Sequence, residues 1–267
     1  KTRNVTLENI KPLINKKTQA VMVVHYGGQC CEMDKIYNYC KKKNIHIIED
    51  SAETLGGTWK KKHPGSWGIG CFSFFPTKNI TTTEGGMLTL NNKKMYEKAK
   101  KIIAHGIVKS NKKSWKRVAV LPGHNYRLPN HLALLGNSQL SKLKSFNKKR
   151  ELIAKKYNNN FKKFNHIIKI PFIPKECNHV YQMYTVQVAK NLRNNFVNYL
   201  NKRGIGASVH FDPPLHKQKI YSKYRKGNLE NTERLSKQIA TLPIYPGLKN
   251  KELKYIIKSV NKWIESI

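Results

Sequence analysis

Residues 49–86 read EDSAETLGGTWKKKHPGSWGIGCFSFFPTKNITTTEGG. The stretch opens on a carboxylate, Asp50, at the end of the apolar run Ile45-His46-Ile47-Ile48, and carries a lysine, Lys78, just after a second apolar run, Gly70–Phe75. In an open parallel sheet, ligands sit beyond the carboxyl ends of the strands. An acid and a lysine at such ends are what pyridoxal phosphate chemistry requires: the amine condenses with an aldehyde, and the acid pairs with a ring nitrogen. Spacing alone leaves plainer readings open. Asp50 could cap a helix, Lys78 could be a solvated loop lysine, and Gly65-Ser66 and Gly85-Gly86 could be ordinary turns.

Working outward, Ala20-Val21-Met22-Val23-Val24 is a β-branched run suited to a strand buried on both faces. Residues 34–43 follow as a helix candidate with Ile36 and Tyr39 on one side, and the strand ending in Glu49-Asp50 comes next. Strand, helix, strand implies a parallel pair with a right-handed crossover. Residues 70–75 and 87–90 read as further strands, and 93–104, 132–143 and a basic stretch at 146–164 as helices. After the break at Pro171–Pro174, residues 184–188 alternate as a strand, 194–202 form a helix ended by Gly204, and 251–264 close the chain as a helix. The expected architecture is α/β, a mostly parallel sheet in residues 1–145 followed by a smaller α+β domain in residues 146–267.

Composition narrows the class. The 267 residues carry 51 Lys and Arg against 15 Asp and Glu, a formal charge of +36. Such a charge attracts nucleic acid or anionic glycan and repels a second copy of the chain. The basic runs at 41–43, 60–62 and 148–150 are short and scattered, and lysine far outnumbers arginine, the residue suited to bidentate phosphate and base recognition. A coding bias with charge on solvated helix faces outweighs a dedicated nucleic-acid protein. Five cysteines without a CxxC pair point to reduced thiols in the cytoplasm rather than a disulfide or zinc framework. No metal site is expected, and no apolar run approaches a membrane span.

The segment from Glu49 through Asn92 closely resembles the core motif of the DegT/DnrJ/EryC1/StrS sugar aminotransferases. The resemblance extends upstream through AVMVVHYGGQCCEMDKI (20–36) and downstream through HNYRLPNHLALLGNSQLSKLKSFNKKR (124–150), VHFDPPLHKQKIY (209–221) and LPIYPGL (242–248). It implies a pyridoxal 5′-phosphate enzyme of the aspartate-aminotransferase fold (fold type I). Such an enzyme converts a nucleotide-linked keto sugar to an amino sugar for surface polysaccharide or glycan precursors, with glutamate as amino donor. Carried over residue by residue, Lys78 matches the lysine that binds the cofactor covalently, and Asp50 the partner of the ring nitrogen. Glu53 stands where relatives carry Gln, His or Glu against the ring, and Ser73 matches a serine that contacts the phosphate. Asn125 and Arg127 match residues that serve the neighbouring subunit's phosphate and substrate region, which implies a homodimer with shared sites. His210 and His216 lie in a segment near the substrate entrance, with His210 the candidate substrate contact. Relatives with His in place of the lysine perform dehydration; Lys78 points to transamination.

Family members also carry a segment upstream of the position where this chain starts, with a Ser/Gly-Thr turn that cradles the cofactor phosphate at a helix N-terminus. Residues 1–19 do not resemble it, so the resemblance implies a large domain entered partway and an incomplete cradle. The alternatives from other classes are a truncated, catalytically incomplete relative or fragment, and a basic protein binding nucleic acid or anionic glycan.

Overall fold

The computed structural model describes residues 1–109, 115–225 and 227–267. The chain divides into two compact units: Arg3–Lys144 with Glu176–Asn178, and the remainder, residues 1–2, 145–175 and 179–267.

The first unit begins with a short helix α1 (Leu7–Ile10), then strand β1 (Ala20–Val24), helix α2 (Met33–Lys42) and strand β2 (His46–Asp50). β3 (Thr58–Trp59), β4 (Ile69–Ser73) and β5 (Gly86–Thr89) follow. The four-stranded sheet has the order β1-β2-β4-β5; β1, β2 and β4 are parallel and β5 is antiparallel to β4. The unit is completed by α3 (Lys93–Ile102), the β6–β7 pair (Ile107–Lys109 with Arg117–Ala119) and the start of α4 (Asn130–Phe161). β4 runs beside a turn so tight that a Cβ on Gly70 would lie 2.4 Å from the Gly65 Cα and 2.3 Å from the Thr89 hydroxyl oxygen. Only glycine fits there.

β1 departs from the expectation of a strand covered on both sides. Val23 and Ile47 are buried with Met33, Ile36 and Cys40 of α2 and Ile10 of α1. Met22 and Val24, which alternate to the opposite face, are 63% and 47% exposed. In register with them on that face stand Ile48, Asp50 and Cys71, and then Leu88, also exposed. The described elements that pack on this sheet lie on the Val23–Ile47 side, so a β-branched run alone could not reveal which face stays open.

A second departure is α4. The two helices expected at 132–143 and 146–164 are one helix of 32 residues, followed by a single 3₁₀ turn at Lys162–Phe164. No proline interrupts it, and Ser145 between the two apolar patterns is too weak a breaker to end a helix.

The second unit is built on a small antiparallel sheet of order β11-β10-β8, from β8 (Ile168–Lys169), β10 (Tyr184–Val188) and β11 (Ile239–Leu242). The short β9 (Cys177–Asn178) instead pairs with β3 in the first unit. Tyr184, Val186 and Val188 are wholly buried among α4 (Tyr157, Phe161), α5 (Arg193–Asn201, through Phe196 and Leu200) and α7 (Asn250–Glu265, through Val260 and Trp263). α6 (Glu230–Ser236) precedes β11.

Arg150, which in the sequence belongs to a basic run, is only 5% exposed. One guanidinium nitrogen donates to the carbonyls of Tyr181, Gln182 and Ile244 at 3.3, 3.4 and 2.7 Å, and burial lowers its pKa to about 10. Arg150→Ala leaves these acceptors without their charged donor and should cost about 3 kcal/mol. The urea midpoint of the variant is expected to fall accordingly, whereas Lys148→Ala on the exposed side of the helix leaves it within error. Among the described residues no helix is long and apolar enough to cross a membrane.

Candidate active site

β2 ends in two carboxylates that alternate to opposite faces of the sheet. Glu49 points inward with Ile47 and is completely buried. One of its oxygens accepts the backbone N–H groups of Trp67 and Gly68 at 2.9 and 2.8 Å, and the other lies 3.2 Å from His25 Nε2. The His25 Nδ1 accepts the Cys31 N–H at 3.0 Å, so Nε2 carries the proton and donates it to Glu49. The His25 carbonyl accepts the Thr54 hydroxyl at 2.9 Å, and the His25 N–H reaches the Asp50 carbonyl at 3.1 Å. Glu49 and His25 thus lock together the ends of β1 and β2, the entrance to β4 and the loop that follows Asp50.

Asp50, the outward member of the pair, is partly exposed on the open face. One of its oxygens accepts the Ala52 N–H at 3.1 Å, which holds the carboxylate over the strand end and leaves further acceptor positions. Ser73 closes β4 two residues beyond Cys71, the register partner of Asp50, so both side chains share a face. The Ser73 oxygen accepts the Phe75 N–H at 3.3 Å.

Glu53 is held from below by a turn that requires glycine. Gly27 and Gly28, within the 3₁₀ turn Tyr26–Gly28, have φ of 67° and 103°, and the Gly27 N–H donates to Glu53 at 2.7 Å. The other Glu53 oxygen lies 3.6 Å from Lys78 Nζ, both side chains being 18% exposed. The loop that presents Lys78 is pinned on each side. Lys78 N–H reaches the Phe75 carbonyl, the Phe74 carbonyl accepts both the Thr82 N–H and the Thr81 hydroxyl, and Asn79 and Ile80 are buried. Lys78 is therefore a held, carboxylate-paired amine and not a solvated one.

The remaining candidates lie elsewhere. Asn125 and Arg127 are exposed, with the Arg127 Nε 3.4 Å from the Asn125 side-chain oxygen, on a segment fixed by backbone bonds to Ile102, Ile103 and His105. None of the described contacts joins them to Lys78, Glu53, Asp50 or Ser73. His210 and His216 belong to the second unit. His210 Nδ1 stands 3.3 Å from the Thr241 hydroxyl, and His216 pairs with Glu233 at 3.2 Å. Lys217 and Arg225 share that carboxylate, and the hydrogen bonds from Lys217 and His216 hold it below the usual carboxylate range.

The residues that sequence reasoning overlooked are Glu49 and His25. Their signal was present: Glu49 stands two residues from Ile47, on the apolar parity of β2, where an acid is tolerated only with a buried partner.

Residues 1–261 match the family described as DegT/DnrJ/EryC1/StrS aminotransferase. Among curated relatives, the GDP-perosamine synthase of Escherichia coli O157:H7 is 32% identical over 98% of this chain and 70% of its own length. Among solved structures, the Helicobacter pylori aminotransferase PseC, involved in pseudoaminic acid biosynthesis, superposes with a TM-score of 0.92 at 29% identity, over 99% of this chain and 71% of that one. The PLP form of a Streptococcus pneumoniae chain assigned as a sugar aminotransferase superposes with a TM-score of 0.87 at 25% identity, over all of this chain and 74% of the other.

Proposed function

The chain belongs to the DegT/DnrJ/EryC1/StrS aminotransferase family, and from that premise we propose that it moves an amino group from glutamate to the keto group of a nucleotide-linked sugar, supplying an amino sugar for surface polysaccharide or glycan precursors. The observation that carries the reading is Lys78, a lysine withdrawn from solvent and paired with Glu53 beside the sheet end that bears Asp50 and Ser73. The donor set fits pyridoxal 5′-phosphate: a primary amine for an aldehyde, a carboxylate for a protonated ring nitrogen and a hydroxyl for a phosphate. When bound, that cofactor supplies the electrophilic carbon and the electron-withdrawing ring that amino transfer needs.

The chain's own residues divide the work. Lys78 must lose a proton before its nitrogen can attack, and Glu53 Oε1 is the acceptor within reach. As a neutral amine, Nζ would be the base that takes the proton from the donor α-carbon and later returns one to the sugar carbon. Asp50 would accept the ring N–H and favour its protonated form. Ser73 would donate to the phosphate. Asn125 and Arg127, exposed on the surface, serve the site of a second copy in a homodimer. The unpaired cysteines suit a cytoplasmic enzyme.

The test is to incubate the protein with pyridoxal phosphate, glutamate and a nucleotide-linked 4-keto sugar, and to resolve the nucleotide sugars by chromatography and mass. An amino-sugar nucleotide supports the reading; unchanged keto sugar with a panel of such substrates removes it. In the same assay Asp50→Asn is expected to retain cofactor attachment at Lys78 and to lower turnover about a hundredfold, because the ring loses its charged partner.

A further inference from the structure

At the opposite end of the sheet from Asp50 and Ser73, the starts of β2 and β4 meet the end of β5 around a cavity of about 330 Å³ that the proposed reaction does not use. Its wall is held firmly. The Trp67 and Gly68 N–H groups donate to the buried Glu49 at 2.9 and 2.8 Å. A Cβ on Gly68 would lie 2.3 Å from the Ile47 carbonyl oxygen, so only glycine lets the two strand entrances run this close. The Trp67 ring meets Tyr37 of α2 with 5.6 Å between centroids and 61° between planes. The Trp67 indole N–H is buried without a hydrogen-bond partner among the described residues. Buried donors are normally satisfied, so this one marks a place for an acceptor that the chain does not supply.

The polar groups around the cavity are of two kinds. Asn91 Nδ2 donates to the Ser66 carbonyl at 3.3 Å and leaves its amide oxygen, while Asn92 Oδ1 accepts the Met95 N–H at 2.9 Å and leaves its NH2; the Asn44 side chain is exposed beside them. Acceptors and donors side by side suit hydroxyl groups, which need both. Charge is of one sign only. Lys41 lines the cavity with its Nζ 5.9 Å from the Tyr37 ring centre, and Lys62 stands 4.6 Å over the Trp67 ring. Among the described residues no acid lines the cavity.

We propose that this cavity is a second, non-catalytic binding site for a monosaccharide that carries one anionic substituent, such as a hexose phosphate. Tyr37, Trp67, Leu90 and Met95 give the C–H surface of a pyranose ring its apolar contacts, the asparagines take its hydroxyls, and Lys41 pairs with the anion. Two rings inclined at 61° form a corner and no flat platform, which disfavours a planar base. The volume is at the small end for a ligand pocket and suits one sugar ring, not a whole nucleotide sugar. The site does not involve Lys78 and stands whether or not amino transfer does.

The test is hydrogen exchange of the intact protein, read by mass spectrometry, with glucose 6-phosphate, glucuronate, glucose or inorganic phosphate added. The anionic sugars should slow exchange in residues 37–47 and 66–69 and leave 73–80 unchanged, in the wild-type chain and in Lys78→Ala alike. A response to only one of them supports the site and identifies the anion it takes. Glucose should need about tenfold more ligand for the same protection, as should the anionic sugar with Lys41→Ala, because each lacks the charge pair. Lys41 is exposed in the last turn of α2, so this variant keeps the fold. Equal protection by inorganic phosphate would reduce the site to simple anion attraction by a basic chain and overturn the proposal. So would glucose binding as tightly as the anionic sugars, protection confined to residues 73–80, or no protection by either anionic sugar.

Discussion

Lys78→Ala is expected to abolish covalent capture of pyridoxal phosphate and to lower amino-sugar formation by about a thousandfold or more, since one side chain provides both the nucleophile and the shuttling base. The measurement is reduction with borohydride at equimolar cofactor, followed by peptide mapping. The wild-type chain should carry the reduced cofactor on Lys78 and the variant should carry none. Specificity is the critical part, because a chain with 43 lysines offers many competing surface amines. Label spread evenly over exposed lysines in both proteins would show that Lys78 has no privileged environment. The structure argues for privilege on two grounds: the loop is pinned on both sides, and Glu53, fixed by the Gly27 N–H, is placed to take the proton that keeps an ammonium from reacting.

The second large effect concerns stability. Glu49→Ala removes the acceptor for three donors in a site closed to water, and each buried donor left unsatisfied costs about 1–3 kcal/mol. Glu49→Gln is the sharper probe. Its oxygen can still accept the Trp67 and Gly68 N–H groups, but its NH2 then faces the His25 Nε2–H. The histidine cannot switch tautomer to relieve this, because Nδ1 already accepts from Cys31. Urea unfolding should therefore show both variants destabilised, the glutamine less so. A glutamine variant as stable as the wild-type chain would mean that the His25–Glu49 hydrogen bond does not form in solution.

Part of the fold and of the candidate site was legible in the sequence because its pattern is local. The parallel order of β1 and β2 followed from one strand-helix-strand pattern; Asp50 and Lys78 lay at the ends of apolar runs, where position alone left a helix cap and a solvated lysine open and the family resemblance singled them out. What was not legible depends on long-range partners. Arg150 announces no buried role in a chain so rich in charge, and although the parity of Glu49 with Ile47 hints at burial, the carbonyls and N–H groups that satisfy both side chains come from distant segments. The run at 20–24 is equally apolar at every position, so it carried no information about which face would be covered. The length of α4 was hidden by a change in which face is apolar, a shift in periodicity that resembles a helix end without any residue that breaks a helix.

The open sheet face also sets how the molecule behaves as a colloid. Met22 and Val24 on β1 and Leu88 on β5 expose apolar side chains on that face at the two outer strands, with Asp50 and Cys71 in the row between them. In dilute buffer the formal charge of +36 keeps molecules apart, so like-charge repulsion acts as a barrier to contact between such faces. Added salt shortens the reach of repulsion to about 3 Å at 1 M while leaving apolar attraction intact. Light scattering should consequently rise with sodium chloride, the reverse of salting-in, and a charged substitution such as Met22→Glu should flatten the rise.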